Sequence, residues 1–287
     1  MEQIIDAFKV SSIEIKYLLE TDLTLKSITN IHNKSGDDVK KLDLDANNIF
    51  HKNLDNCNHI YKYITEEDNE ETLVNKQGTY YVSVDPLDGS SNIENNNIVG
   101  NIFCIFSLNY KKEVISGKNI VFAGYCLYGP KTHLVCCKGS TLPEIYQLIN
   151  NNFICICKNI EMPVFGKYYC CNVNNINSLN TPFNRVYNSC IKGIRKVRWS
   201  GCMVADVHRI LLDGGIFFYP SAKKTPNGKL RLLYECYPMA FIIENAGGYS
   251  YNENFKSILD TEFPKDNLHK TTPIILSSLV ESNFIFT

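Results

Sequence analysis

The sequence has almost no charge imbalance: 29 lysines and arginines stand against 30 aspartates and glutamates in 287 residues, a net charge of −1. A phosphate-tracking surface needs basic excess, so nucleic acid is not expected as a partner. No apolar run approaches the roughly 20 residues that cross a bilayer, so no membrane partner is expected. Met1-Glu-Gln-Ile-Ile-Asp-Ala-Phe8 lacks a basic segment ahead of an apolar one, so a secretory signal is not expected and a cytoplasmic location is the default. The twelve cysteines include no C-x-x-C pair, the spacing of most zinc and redox sites. They sit in apolar runs, such as Cys104, Cys126 and Cys136-Cys137, and read as reduced, small hydrophobes. No internal repeat is present. With 44% hydrophobic residues, including 17 tyrosines and 15 phenylalanines, the chain can bury a sizeable core. Its length suits one large domain or two packed subdomains.

The most informative stretch is Val82-Ser-Val-Asp-Pro-Leu-Asp-Gly-Ser-Ser-Asn92. A β-forming run ends on Asp85, where Pro86 is expected to stop the strand. Asp88 follows three residues later, so a turn can aim both carboxylates at one point. Gly89 allows a tight path, and Ser90, Ser91 and Asn92 present N–H groups and side-chain donors. Magnesium sits on one or two carboxylates plus substrate phosphate, and an N–H-rich turn opening a helix binds anions. Taken alone, Asp-Pro-x-Asp-Gly is as readily a solvated turn. The acidic cluster Thr65-Glu66-Glu67-Asp68 upstream and the apolar run Ile98–Phe106 downstream favour a functional turn on a rigid scaffold.

Apolar spacing predicts a helix over 1–20, then a polar loop over 22–36. A helix or strand–helix unit runs from Val39 to Leu54. Strands are predicted at Tyr80–Val84 and Ile102–Leu108, and a hairpin from Ile120–Leu127 and Thr132–Cys137. Residues 144–152 are weakly patterned, and residues 172–182 are loop-like. The asparagine runs at 95–97 and 150–152 read as compositional drift. Helices follow at Met203–Leu212, closed by Gly214-Gly215, and at Leu232–Ala246, closed by Gly247-Gly248, with a strand at Ile216–Tyr219 between them. Asp206 and His208, inside the first of these helices, read as structural contacts. The mixture implies an α/β (α+β layered) fold of alternating helix and sheet layers, with a boundary near residue 163.

Two longer blocks join the first. One is Gly201-Cys-Met-Val-Ala-Asp-Val-His-Arg209 with Gly214-Gly-Ile-Phe-Phe-Tyr-Pro220 and Lys223-Lys-Thr-Pro-Asn-Gly-Lys-Leu-Arg-Leu-Leu-Tyr-Glu-Cys-Tyr-Pro-Met-Ala240. The other is Gly36-Asp-Asp-Val-Lys-Lys-Leu-Asp43. With these the chain resembles class I fructose-1,6-bisphosphatases, within the inositol monophosphatase-like metal-dependent phosphatases. The resemblance implies a magnesium enzyme, with manganese or zinc as substitutes, that removes the 1-phosphate of fructose 1,6-bisphosphate. It implies metal ligands at Glu66, Glu67, Asp85, Asp88 and Glu235 and at the Leu87 carbonyl. It gives catalytic roles to Asp43, Glu67 and the loop residue Asp37. Gly89, Ser90 and Ser91 would cradle the 1-phosphate. Asn172, Asn175, Arg198, Trp199, Tyr219, Lys229 and Arg231 would contact the sugar and its 6-phosphate. Residues 1–163 would carry the metal and 1-phosphate site with a shortened AMP-site region, and residues 164–287 the sugar and 6-phosphate site. It further implies a homodimer or homotetramer in which Arg198 reaches a neighbouring subunit's site.

The physical case runs alongside. Five or more carboxylates around a dianionic ester repel it unless cations intervene, and cations supply the activated water. Lys229 and Arg231 offer positive charge for a second phosphate. Asn175 and Trp199 stand where the family usually has tyrosines, which reshapes the distal phosphate site. Thr79 and Ser107 stand where it has Lys and Arg, and no AMP-binding segment precedes the first helix, so AMP inhibition is expected to be weak or absent. Lys111–Lys118 lacks the cysteines of thioredoxin-regulated relatives. Two other readings remain: a sedoheptulose-1,7-bisphosphatase or dual-specificity enzyme, and a catalytically weak metabolite-sensing subunit.

Overall fold

The computed structural model describes residues 1–22, 28–32, 38–172, 181–193, 195–222 and 225–283; of residues 28–32, 38–40, 181 and 182 it describes the backbone alone. Helix α1 (Glu2–Thr21) leads into a hairpin of β1 (Ile28–His32) and β2 (Asp38–Lys40), then α2 (Lys41–Leu54). The large sheet follows: β3 (Ile60–Thr65), β4 (Thr72–Leu73), β5 (Tyr80–Asp88), β6 (Val99–Ser107), β7 (Ile120–Tyr128), β8 (Thr132–Lys138), β9 (Glu144–Ile149) and β10 (Asn152–Cys157). Its eight strands lie in the order β10-β9-β8-β7-β6-β5-β3-β4, antiparallel except for the parallel pair β3–β5. The small sheet, ordered β12-β11-β13-β15-β14, is built from β11 (Tyr168–Cys170), β12 (Lys196–Val197), β13 (Gly215–Tyr219), β14 (Tyr249–Tyr251) and β15 (Ile274–Ser277). Helices α3 (Thr181–Lys192), α4 (Met203–Asp213), α5 (Tyr237–Asn245) and α6 (Leu279–Ser282) complete the chain.

Period-two alternation along β6 sets the layering. Phe103 and Ile105 face α1 and α2, where Phe8 stacks on Phe103 at 4.3 Å beside Phe50 and Phe122. Ile102, Cys104 and Phe106 face the opposite side, against residues of α4 and α5 such as Val204 and Ile242. The same core cluster reaches Phe217 and Leu276 of the small sheet. That sheet's far face, Ile216, Phe218 and Ile275, packs on Phe183 and Val186 of α3. The layers therefore run helix, sheet, helix, sheet, helix, and the α/β layered class holds. At Gly100 an added Cβ would lie 2.7 Å from Val204 Cβ, so only glycine lets the start of α4 lie flat on β6.

Several elements depart from the sequence reading. β5 does not stop at Asp85: it continues through Pro86 to Asp88, with a register shift between Asp85 and Asp88 that absorbs the missing N–H. Residues 22–36, expected as a loop, contain β1. Residues 144–157 form a hairpin. Asn150 and Asn151 turn it with φ of 48° and 61°, so this asparagine run is turn chemistry rather than drift. Helix α3 begins inside the segment read as a loop. The helix expected over 232–246 opens as a π-turn, Leu232–Cys236, before α5, and Pro238 occupies the first turn, where no N–H is needed.

Candidate active site

A cleft of about 520 Å³ opens where the end of β5, the Thr65–Asp68 turn, the π-turn and the small sheet meet. Parallel pairing of Thr65 with Val84 sets Glu66 beside Asp85, and the Glu66 N–H donates to the Val84 carbonyl at 3.0 Å. The bulge after Asp85 turns Asp88 inward. The π-turn, with one extra residue per turn, brings Glu235 to the same point. One oxygen from each of Asp85, Asp88 and Glu235 lies within 4.8 Å of the others, and all three residues are buried. Leu87 also lines the cleft.

Each carboxylate is held. Asp85 Oδ1 accepts the Leu87 N–H at 3.0 Å, Glu235 Oε2 the Arg231 N–H at 2.6 Å, and Asp88 Oδ2 the Val204 N–H at 2.7 Å and the Cys202 thiol at 3.0 Å. Asp88 thus sits at the positive end of α4, which favours its charge. Burial, then the nearby Glu66, pushes Asp85 and Glu235 above the usual carboxylate range. Burial also raises Asp88, opposed by its bonds from Cys202 and Val204. Glu67 is raised to about 8 by burial, then by Glu66 and Asp43. Its Oε2 is buried and has no hydrogen-bond partner among the described residues. Asp43, in the first turn of α2, is buried at the same wall.

The other walls hold further residues named from the sequence. Gly89 has φ +78°, and an added Cβ would lie 2.7 Å from Cys202 Cβ. Ser90 and Ser91 open the short 3₁₀ helix that follows. Asn172, Trp199, Tyr219 and Lys229 line the opposite side, with Trp199 stacked 6.3 Å from Phe217. Arg231 lines the cleft but pairs with Glu66 at 3.4 Å, so its charge is directed at carboxylates. Arg198 does not line it: its Nη1 donates to the Val197 carbonyl and its guanidinium lies over Tyr168. Asp37 and Asn175 lie outside the described residues. Asp206 accepts the Ser200 N–H at 3.1 Å and His208 bonds the Tyr125 hydroxyl at 2.9 Å, both structural contacts as read. Cys202 and Val204 were missed as supports of Asp88. Only the fold brings them together, across more than a hundred residues of sequence.

Among the described residues, six acidic side chains and two basic ones line this cleft. The six carboxylates are hard oxygen donors and fit divalent cations. With a Gly-Ser-Ser turn beside it, this set defines a cation-dependent phosphate-ester hydrolase. Residues 2–153 match the family model for the N-terminal domain of fructose-1,6-bisphosphatase, and residues 162–283 that for its C-terminal domain. The cytosolic fructose-1,6-bisphosphatase of Solanum tuberosum is 38% identical over 265 residues, 86% of this chain and 76% of the relative. The class 1 fructose-1,6-bisphosphatase of a Campylobacter jejuni strain is 36% identical over 286 residues, 98% of this chain and 96% of the relative. The holo crystal structure of Leishmania major fructose-1,6-bisphosphatase superimposes with a TM-score of 0.92 at 30% identity, covering 99% of this chain and 92% of that one. The chain belongs to the fructose-1,6-bisphosphatase family.

Proposed function

We propose that this cleft carries out the family's reaction, magnesium-dependent hydrolysis of the 1-phosphate of fructose 1,6-bisphosphate to fructose 6-phosphate and phosphate. The chain is a phosphoric monoester hydrolase of sugar metabolism. The observation that carries the reading is the convergence of Asp85, Asp88 and Glu235, three buried carboxylates within 4.8 Å. With Glu66, Glu67 and the Leu87 carbonyl they would hold magnesium, manganese or zinc. A divalent cation held there supplies neutralisation of phosphate charge and activation of water.

The chain's own residues do the rest. The Oε2 of Glu67, buried and without a hydrogen-bond partner among the described residues, is the atom we assign to receive a proton from the attacking water. Asp43 stands beside it and shares that role; Asp37 would join them. Gly89, Ser90 and Ser91 cradle the 1-phosphate. Lys229 faces the distal phosphate, and Asn172, Asn175, Trp199 and Tyr219 contact the sugar. Arg231 acts chiefly by holding Glu66 and Glu235. Arg198, exposed and turned from its own cleft, supports an assembly of two or four copies in which it serves a neighbour. Division near residue 163 and a cytoplasmic location complete the reading. Among the described residues no helix is long and apolar enough to cross a membrane.

The test is phosphate release from fructose 1,6-bisphosphate by purified protein, with and without magnesium, beside Asp43→Ala. Magnesium-dependent release that the variant loses is expected. Equal release by both proteins would remove Asp43 from the mechanism, and none by either would overturn the substrate assignment.

A further inference from the structure

One face of α2 carries Asp43, Asn47 and His51, spaced four residues apart and so directed to one side. That side meets the acidic turn of the cleft. Asn47 Nδ2 donates to Asp68 Oδ1 at 3.0 Å, and His51 Nε2 lies 3.1 Å from the same oxygen. His51 Nδ1 lies 2.5 Å from the hydroxyl of Tyr63 on β3.

The hydrogen count at His51 follows. The Tyr63 hydroxyl donates its one hydrogen to Asp55 Oδ1 at 2.7 Å, so toward His51 it accepts. Asp68 Oδ1 already accepts the Asn47 N–H, and toward His51 Nε2 it accepts as well. Both ring nitrogens therefore carry hydrogen, and His51 is held at both ends, by the Tyr63 hydroxyl and by Asp68. The hydrogen bond to Asp68 raises the His51 affinity for protons, with burial opposing.

This arrangement matters because the turn carries three successive carboxylates. Glu67 is the neighbour of Asp68 in that turn, and Asp43 lies one helical turn before Asn47 on α2, so contacts to Asp68 tie the two together. Two donors from α2 close on Asp68 and hold the turn to that helix. We infer that His51 and Asn47 are positioning residues: by pinning Asp68 to the helix that bears Asp43, they fix Glu67 against Asp43 in the geometry the reaction needs. This inference rests on the roles assigned to Asp43 and Glu67 above. Neither His51 nor Asn47 touches the substrate cradle; they act through Asp68.

Two measurements test it. Long-range ¹H–¹⁵N spectra of the intact protein at pH 7.5 should show both His51 ring nitrogens protonated. In turnover assays with magnesium, His51→Gln should lower kcat about tenfold while KM stays within about twofold, the scale seen when an outer support of a metal-site ligand is removed. Asn47→Ala should lower kcat by a smaller factor and covers the case in which His51→Gln fails to fold. His51→Gln combined with Asp68→Asn should cost no more than the worse single change, since both break one clamp. A neutral His51 ring, wild-type kcat in folded His51→Gln, or losses that multiply would overturn the inference. Absence of turnover by wild type in the same preparation would instead overturn the functional reading, and ring protonation would still decide the clamp.

Discussion

Asp85→Asn should make the cation-free protein more stable while removing its response to cation. Asparagine keeps Oδ1 as acceptor for the Leu87 N–H, so the local bond at 3.0 Å survives. What disappears is one negative charge from a buried group whose oxygens lie within 4.8 Å of one another. At that separation and an effective dielectric near 20, one fully ionised pair repels by about 3.5 kcal/mol. Protons taken up by the raised carboxyls already relieve part of this, which leaves a gain of about 2 kcal/mol. For a chain of this length that corresponds to about 3–4 °C in melting midpoint. Wild type in excess magnesium should gain a similar amount, about 2.7 kcal/mol at a hundredfold excess over Kd. The assay is thermal melting of both proteins, in chelator and in a magnesium titration. The reasoning is refuted if the variant melts below wild type in chelator, or if it keeps the wild-type magnesium shift.

Other consequences concern the same cleft and the core behind it. The folded-state carboxyl of Glu67, at about 8, lies above its unfolded value of 4.5, so between those pH values the folded state holds a proton that the unfolded state has released. Stability of the cation-free protein should therefore be greatest below about pH 4.5 for this group and fall as pH rises to 8, by up to about 1.4 kcal/mol per pH unit; urea midpoints across that range, with and without magnesium, should show a slope that saturating cation flattens. Gly89→Ala meets both the φ of +78° and the 2.7 Å approach to Cys202 Cβ; about 1–2 kcal/mol of backbone strain and about 1–3 kcal/mol of overpacking should lower the urea midpoint, and KM should rise. Phe8→Ala removes the ring stacked 4.3 Å from Phe103; it should cost about 3–5 kcal/mol in denaturant unfolding and leave kcat unchanged in the protein that remains folded.

The sequence is legible where one residue pattern has one structural solution. The apolar run Ile102–Phe106 of β6, short and rich in branched and aromatic residues, reads as a strand covered on both faces, and α4 and α5 show helical spacing closed by glycines. The Asp85–Asn92 turn was legible as a site because its carboxylates, glycine and donors are adjacent. It was misread in one detail, since a bulge lets Pro86 stay within β5. The β9–β10 hairpin was not legible: β10 is an edge strand whose outward positions are the apolar Ile154 and Ile156, so its sequence shows no polar–apolar alternation. The supports of the site were the least legible. Cys202 and Val204 reach Asp88 only because Gly100 lets α4 lie on β6, and His51 looks like an ordinary helix residue until the turn at Asp68 is folded against it.

The most direct test of the central claim is anomalous diffraction from crystals grown with manganese and fructose 1,6-bisphosphate. The account predicts anomalous density enclosed by the carboxylates of Asp85, Asp88 and Glu235, with the 1-phosphate between it and Ser90–Ser91. Manganese bound elsewhere, with those three carboxylates uncoordinated, would contradict it.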